Sequence, residues 1–175
     1  MKISVIKSRR AFLKLDTREL LSHINSLIGE HALILTNHPF NMKEEEAWQH
    51  TRANEISAGD KMMVVAQDGG RVAGICEVKR GRGKDRYNMG FSMSVDRRYR
   101  GRGIGKALLK RAIAEGKKEW KPRNIFLFYE EGNAPAQKLY ESLGFQETAR
   151  LKGYIYHCGK FIDRIMMELR QRGEK

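Results

Sequence analysis

The sequence predicts a mixed α/β (α+β) fold with a mostly antiparallel central sheet flanked by helices, and three observations predict it. Between Lys61 and Val95 the apolar residues fall largely at alternate positions, in three runs separated by turn residues. From Gly103 to about Lys118 the pattern becomes helical, and the short apolar run Ile125-Phe126-Leu127-Phe128-Tyr129 follows it. The chain has 175 residues, enough for one sizeable core, and no internal repeat or low-complexity linker divides it.

In chain order, residues 3–15 alternate weakly and are expected to form a first strand. Asp16 or Thr17 caps a helix in which Leu20, Leu21, Ile24, Leu27 and Ile28 share helical spacing, with Gly29 as its stop. Ala32-Leu33-Ile34-Leu35 reads as a strand or a buried loop, and His38-Pro39-Phe40 breaks regular structure. Asn41-Met42-Lys43-Glu44 is a capping box that opens a second helix, running to about Ser57 and closing at Gly59. Glu44, Glu45 and Glu46 in its first turn complement the helix dipole; the alternative is an acidic rim that attracts an amine.

Met62–Ala66 and Val72–Val78 read as two strands joined at Asp68-Gly69-Gly70, which is hairpin turn chemistry. A basic glycine loop, Lys79–Arg86, leads to a third strand from Tyr87 to Val95, with Met89, Phe91, Met93 and Val95 on one face. The helix from Gly103 carries Ile104, Ala107, Leu108, Arg111, Ala112 and Glu115 on its expected inner stripe. Ile125–Tyr129 should then pair parallel to the strand ending at Val95, because a helix crosses between them. Asn133 caps a further helix through Leu143, with Gly144 at its end. Phe145–His157 and Phe161–Leu169 form a last hairpin around Cys158-Gly159-Lys160, and Gln171 to Lys175 are expected to fray.

The chemistry concentrates in Arg100-Gly101-Arg102-Gly103-Ile104-Gly105-Lys106, between a strand and a helix. Glycine allows positive φ and close approach of backbone to a ligand, and a helix N-terminus presents N–H groups that have no intrahelical partner. The combination grips phosphate. No Lys-Ser/Thr follows the glycines, which excludes the usual nucleotide-triphosphate loop, and the antiparallel strands before it exclude a dinucleotide fold. The net charge of +13 is gathered there: residues 79–123 hold 16 Lys/Arg against 4 Asp/Glu, whereas residues 1–78 hold 10 of each. A polyphosphate cofactor or nucleic acid explains such a block, and a solvated basic surface is the plain alternative. Cys76 and Cys158 make no disulfide framework, and the five histidines show no metal spacing, so no metal is inferred. With no membrane-length apolar run and no signal-peptide pattern, the expected compartment is the cytoplasm.

At this point the chain resembles the GNAT superfamily of acyl-CoA-dependent N-acyltransferases. Its signature Gln/Arg-x-x-Gly-x-Gly/Ala reads here as Arg100-Gly101-Arg102-Gly103-Ile104-Gly105, and its Asn-to-Tyr helix followed by Gly-Phe reads as Asn133…Tyr140…Gly144-Phe145. The resemblance covers residues 60–170, the expected CoA-binding core, and leaves residues 1–59 as a variable helical part shaping the acceptor site of one domain. It implies a splay between the fourth and fifth strands. It also implies that acetyl-CoA is the co-substrate, its pyrophosphate bound by backbone around Arg102, Gly103, Ile104, Gly105 and Lys106, with Arg100 and Gly101 in the same loop. The pantetheine arm would pair with Met93-Ser94-Val95, a backbone N–H near Val95 would polarise the acyl carbonyl, and Asn133 and Ala136 would complete the cofactor site.

The implied reaction is direct attack of a neutral primary amine on the thioester. It needs a base for the amine, a donor for the oxyanion and an acid for the departing thiolate. Tyr140 is the candidate acid. Glu77, on the strand before the basic loop, is the candidate base, with Asp85 and Glu44–Glu46 as further candidates. The strand Asn88–Met93 lacks the Glu that many members carry. The acceptor is a small molecule or amino acid, or else a protein amino group. The competing reading is a basic nucleic-acid- or ribosome-associated binding protein without catalysis. Homodimers through sheet edges are common in the superfamily, and no residue pattern here fixes one.

Overall fold

In a computed structural model of the chain, which describes residues 1–169, the alternating runs between Lys61 and Val95 become three neighbouring antiparallel strands. The elements are β1 (Lys2–Ile6), α1 (Arg9–Phe12), α2 (Thr17–Gly29), α3 (Met42–Ser57), β2 (Lys61–Asp68), β3 (Arg71–Arg80), β4 (Asn88–Val95), α4 (Ile104–Trp120), β5 (Asn124–Glu130), α5 (Ala134–Glu141), β6 (Phe145–His157) and β7 (Lys160–Leu169). They build one seven-stranded sheet in the order β1-β2-β3-β4-β5-β7-β6. Every neighbouring pair is antiparallel except β4 and β5, which run parallel with α4 as their crossover. The expected mixed, mostly antiparallel sheet is what forms.

β2 is buried on both faces, and its period of two sorts its residues between two cores. Met62, Val64 and Ala66 belong to the core under α4, with Leu108, Leu109 and Ala112. Met63 and Val65 belong to the opposite core, with Phe12 of α1, Leu20 of α2, and Ala53 and Ile56 of α3. Full burial of each of the Met, Val, Leu, Ile and Phe side chains among them contributes about 1.5–3 kcal/mol, so the sheet is clamped from both sides.

Four expectations are corrected. The first strand ends at Ile6, because the Ser8 side chain accepts a hydrogen bond from the Ala11 amide at 3.3 Å and starts α1. Ala32–Leu35 is neither strand nor fully buried; it begins an irregular loop pinned at its far end by Asn25, which bonds both the amide and the carbonyl of Phe40 at 2.9 and 2.8 Å. On α4 the inner residues are Ile104, Leu108, Leu109, Ala112 and Gly116, while Ala107 and Arg111 face outward and Glu115 pairs with Lys7 at 2.9 Å. The stripe is rotated by about one position. Finally, Leu143 lies beyond α5, whose last helical residue is Glu141. The expectation that Gln171–Lys175 fray lies outside the described residues.

Candidate active site

The strand β4 has two halves. Asn88–Phe91 pair with Asn124–Leu127 of β5, and there the parallel ladder stops. Ser92–Val95 remain bonded to β3 on the other side, so their edge toward β5 has no sheet partner. The strands part as the sequence resemblance implied, leaving a wedge between them.

The glycine loop closes the end of this wedge. Gly101 and Gly103 have φ of 75° and 74°, a region costly to any residue with a Cβ. Gly103 is the N-cap of α4 and supplies no side chain, and no acidic residue stands in the first turn. The amides of Ile104, Gly105 and Lys106 precede the first intrahelical bond, which Ala107 donates to Gly103 at 3.0 Å. Gly105 has a second role: a Cβ there would meet Leu139 Cδ2 at 3.2 Å and Met93 Cε at 3.4 Å. The helix N-terminus is therefore packed tightly against β4 and α5.

The arginines divide. Arg98 is engaged with Asp96 at 2.7 Å, and Asp96 is buried and caps the turn Arg97–Tyr99. Arg100 points backward, donating from Nε to the Val95 carbonyl at 3.0 Å and ion-pairing with Glu30 at the end of α2. It ties the loop to the end of α2. Arg102 and Lys106 are exposed.

A cavity of about 440 Å³ lies where β4 and β5 part. Its walls come from α2, the loop after it, α3, β3, β4, β5, α5 and β7. Of the sequence-predicted residues, Met93, Ser94, Asn133, Tyr140 and Glu77 line it together. Val95, Ala136 and the loop Arg100–Lys106 stand outside its wall, and so do Glu44, Glu46 and Asp85.

Tyr140 is buried, with Tyr129 edge-on at 6.2 Å and Phe145 at 6.1 Å between ring centres. Burial, reinforced by Cys76 and Glu130, raises its phenol, so the hydroxyl stays protonated and can donate. Asn133 accepts the Ala136 amide at 3.2 Å through Oδ1 and so caps α5, and the residue lines the cavity. Glu77 has both oxygens engaged: Lys61 Nζ lies 2.6 Å from one and Arg52 Nε 3.1 Å from the other. A carboxylate so held is poorly placed to take a proton from an amine.

The structure adds residues to the site that the sequence reading did not single out. His23 of α2, 4% exposed, bonds Ser94 Oγ at 2.8 Å, and burial lowers its imidazole to about 4, so the ring is neutral near pH 7. Arg164 of β7 stacks on Phe128 at 4.7 Å, and its Nε lies 3.8 Å from Glu130, too long for a hydrogen bond. Thr36 Oγ1 is buried against the cavity without a hydrogen-bond partner. Glu45, read in sequence as one of three dipole-facing acids, turns inward and is 4% exposed. Its phase was a usable signal: Glu45, Gln49, Ala53 and Ile56 follow one inner stripe of α3.

Among the described residues, no helix is long and apolar enough to cross a membrane, and no group of three or more His, Cys, Asp or Glu is placed to hold a metal ion. A model of the acetyltransferase (GNAT) family matches residues 28–145. The chain is 26% identical over 160 residues to an L-methionine sulfoximine/L-methionine sulfone acetyltransferase of Pseudomonas aeruginosa, covering 88% of each chain. Its fold superposes on the crystal structure of a ribosomal-protein-alanine N-acetyltransferase from Brucella melitensis with a TM-score of 0.79, at 24% identity, over 96% of this chain and 98% of the other. A phosphinothricin acetyltransferase from Sinorhizobium meliloti, solved in complex with acetyl-CoA, superposes with a TM-score of 0.76 at 20% identity, over 96% and 88%.

Proposed function

The chain belongs to the acetyltransferase (GNAT) family and transfers an acetyl group from acetyl-CoA to a primary amine, and we propose that its acceptor is a small amine bearing its own carboxylate, an amino-acid-like molecule. One observation carries this: the cavity of about 440 Å³ is lined both by an unanswered carboxylate, Glu45, and by a cation, Arg164. The volume suits a small molecule. The pair of opposite charges matches an ammonium and a carboxylate on one ligand. The P. aeruginosa relative, named for amino-acid analogues, is consistent with it.

The residues fit the co-substrate. The acid-free first turn of α4 offers the amides of Ile104, Gly105 and Lys106 to a pyrophosphate, with the exposed charges of Arg102 and Lys106 beside them. The free edge of Met93, Ser94 and Val95 offers backbone groups to an amide-bearing arm, with Asn133 opposite. When bound, acetyl-CoA supplies an acyl carbon activated as a thioester. A β4 amide near Val95 then polarises the acyl oxygen. Tyr140, held protonated, gives its proton to the sulfur as it leaves. Arg164 holds the acceptor's carboxylate against Phe128. The basic block around the loop serves the polyanionic co-substrate, and neither the fold nor the comparisons support a purely nucleic-acid- or ribosome-binding role. The free cysteines Cys76 and Cys158 suit a reducing, cytoplasmic setting.

The test is free-thiol release from acetyl-CoA across amino acids, the amines formed by their decarboxylation, and short peptides. Amino acids should exceed their decarboxylated partners in kcat/KM by about tenfold or more, and Arg164→Gln should erase that margin, the scale of one charge-assisted hydrogen bond. Preference for peptides, or no thiol release with any amine, would overturn the reading.

A further inference from the structure

Three carboxylates line the cavity, and two are answered. Glu77 is held by Lys61 and Arg52, and Glu130 faces Arg164 at 3.8 Å. Among the described residues, no hydrogen bond or ion pair engages the Glu45 carboxylate. Its neighbour one turn along α3 shows the contrast. Gln49, equally buried, donates to the carbonyls of Phe12 and Leu15 at 3.3 and 3.0 Å and accepts from Thr17 at 2.7 Å. Gln49 is a structural tie. Glu45 continues the same inner stripe to the cavity wall and has only the cavity to face. An unanswered buried carboxyl lowers stability, so its use is to be sought in what enters the cavity.

We propose that Glu45 is the general base of the transfer, taking a proton from the acceptor's ammonium group. This rests on the amine-acetylation reading above. One oxygen of Glu45 takes one ammonium proton, directly or through one water, and the neutral amine remains. Its nitrogen bonds to the thioester carbon, and the carbon–sulfur bond then breaks. The sulfur keeps the bond's electron pair and takes the Tyr140 proton. A second proton leaves the nitrogen and restores Tyr140 through water, and Glu45 releases its own proton to solvent. Ammonium and thioester thus become amide, thiol and one proton, with nothing oxidised or reduced.

The other charged or titratable groups facing the cavity do not displace Glu45. His23 from α2 has too low a proton affinity, its imidazole lowered to about 4 by burial. Arg52 from α3 and Glu77 from β3 are bound to each other. Tyr129 from β5 and Tyr140 from α5 are raised by burial and stay protonated. Glu130, also from β5, is raised by burial but opposed by the Arg164 charge from β7. Burial alone pushes Glu45 up to about 7, where a general base is most effective near neutral pH.

The experiment is kcat/KM against pH for wild type, Glu45→Gln, Glu45→Asp and Glu130→Gln, using an amino acid that the wild type acetylates, with acetyl-CoA thermal stabilisation measured on each. Wild type should lose activity below an inflection near 7. Glu45→Gln should fall by ~10²-fold or more at about pH 7.5, lose that inflection and keep its stabilisation by acetyl-CoA, while Glu45→Asp recovers part of the rate and shifts the inflection. The assignment is overturned if Glu45→Gln stays within about threefold of wild type or keeps the acid limb, or if Glu130→Gln removes that limb instead. Should Glu45→Gln fail to fold, an acid limb unmoved in Glu45→Asp overturns it equally. A wild type that acetylates no amine defeats the functional reading itself, whereas an active wild type with an unimpaired Glu45→Gln defeats only the base.

Discussion

The two sides of the candidate site are built from different materials. On the α4 side, binding is offered by backbone: the amides after Gly103 and the free edge of Ser92–Val95. On the α2–α3 side it is offered by side chains set on helices and a loop: His23, Thr36, Glu45 and Arg52. Backbone recognition needs a chain path, and a chain path needs glycine at fixed positions, so it leaves a motif. Side-chain recognition needs only a residue in the right phase, and any of several elements can supply it. The backbone side of the site is thus written in sequence, and the side-chain side is written in packing.

The comparison breaks most sharply at Gly103. Gly103→Asp puts a carboxylate at the anion-binding end of α4 and forces a side chain into positive φ; acetyl-CoA affinity should fall at least ~100-fold by calorimetric titration. The protein should remain folded, because nothing lies within 4 Å of a Cβ at this position. Retained affinity would show that the backbone wall is not the co-substrate site. Tyr140 stands between the walls. Tyr140→Phe should lower kcat by ~10- to 100-fold with both KM values little changed, read by steady-state thiol release, because in the proposed mechanism the hydroxyl acts only as the sulfur leaves. A change confined to KM would move Tyr140 from chemistry to binding.

A third test concerns the contact between the side-chain wall and β4. His23 ties α2 to Ser94 of β4, and its imidazole is lowered from about 6.5 to about 4 by burial. A depressed histidine gives stability that is present above its unfolded value and is lost as pH falls, here between about 6.5 and 4. The loss should approach about 3 kcal/mol by urea denaturation, and His23→Gln should flatten that part of the curve relative to wild type. Identical pH dependence in the two proteins would mean that α2 is held by other contacts.

Most of the fold was legible because it obeys local periods. The hairpin at Asp68–Arg71, the parallel placement of β5 and the Asn133 cap follow from turn residues, a crossover helix and a capping side chain. What was not legible depends on phase or distance. The α4 stripe was off by about one position because Arg111 and Glu115 mimic an apolar spacing, while Gly116, which packs inside, carries no hydrophobic signal. Of the site, Met93, Ser94, Asn133, Tyr140 and Glu77 were found by motif or strand position and do meet at one cavity. Glu77 nevertheless faces Lys61 and Arg52, sixteen residues before it and twenty-five residues before it, partners no local pattern announces. Arg100 reads as part of the cofactor-binding loop in the motif, yet its guanidinium turns to Val95 and to Glu30, seventy residues away.

The place of β7 governs how this chain can be made. β7 is the last strand synthesised among the described residues, yet it lies inside the sheet between β5 and β6. β4 has already left β5 at Leu127, so Phe128–Glu130 have no strand on either side until Arg164–Met166 arrive. A nascent chain stalled before Lys160 therefore carries the apolar run of β5 with its edge open, next to a β6 that has nothing to pair with. Until β7 docks between β5 and β6, both strands keep an open edge that another chain could pair with.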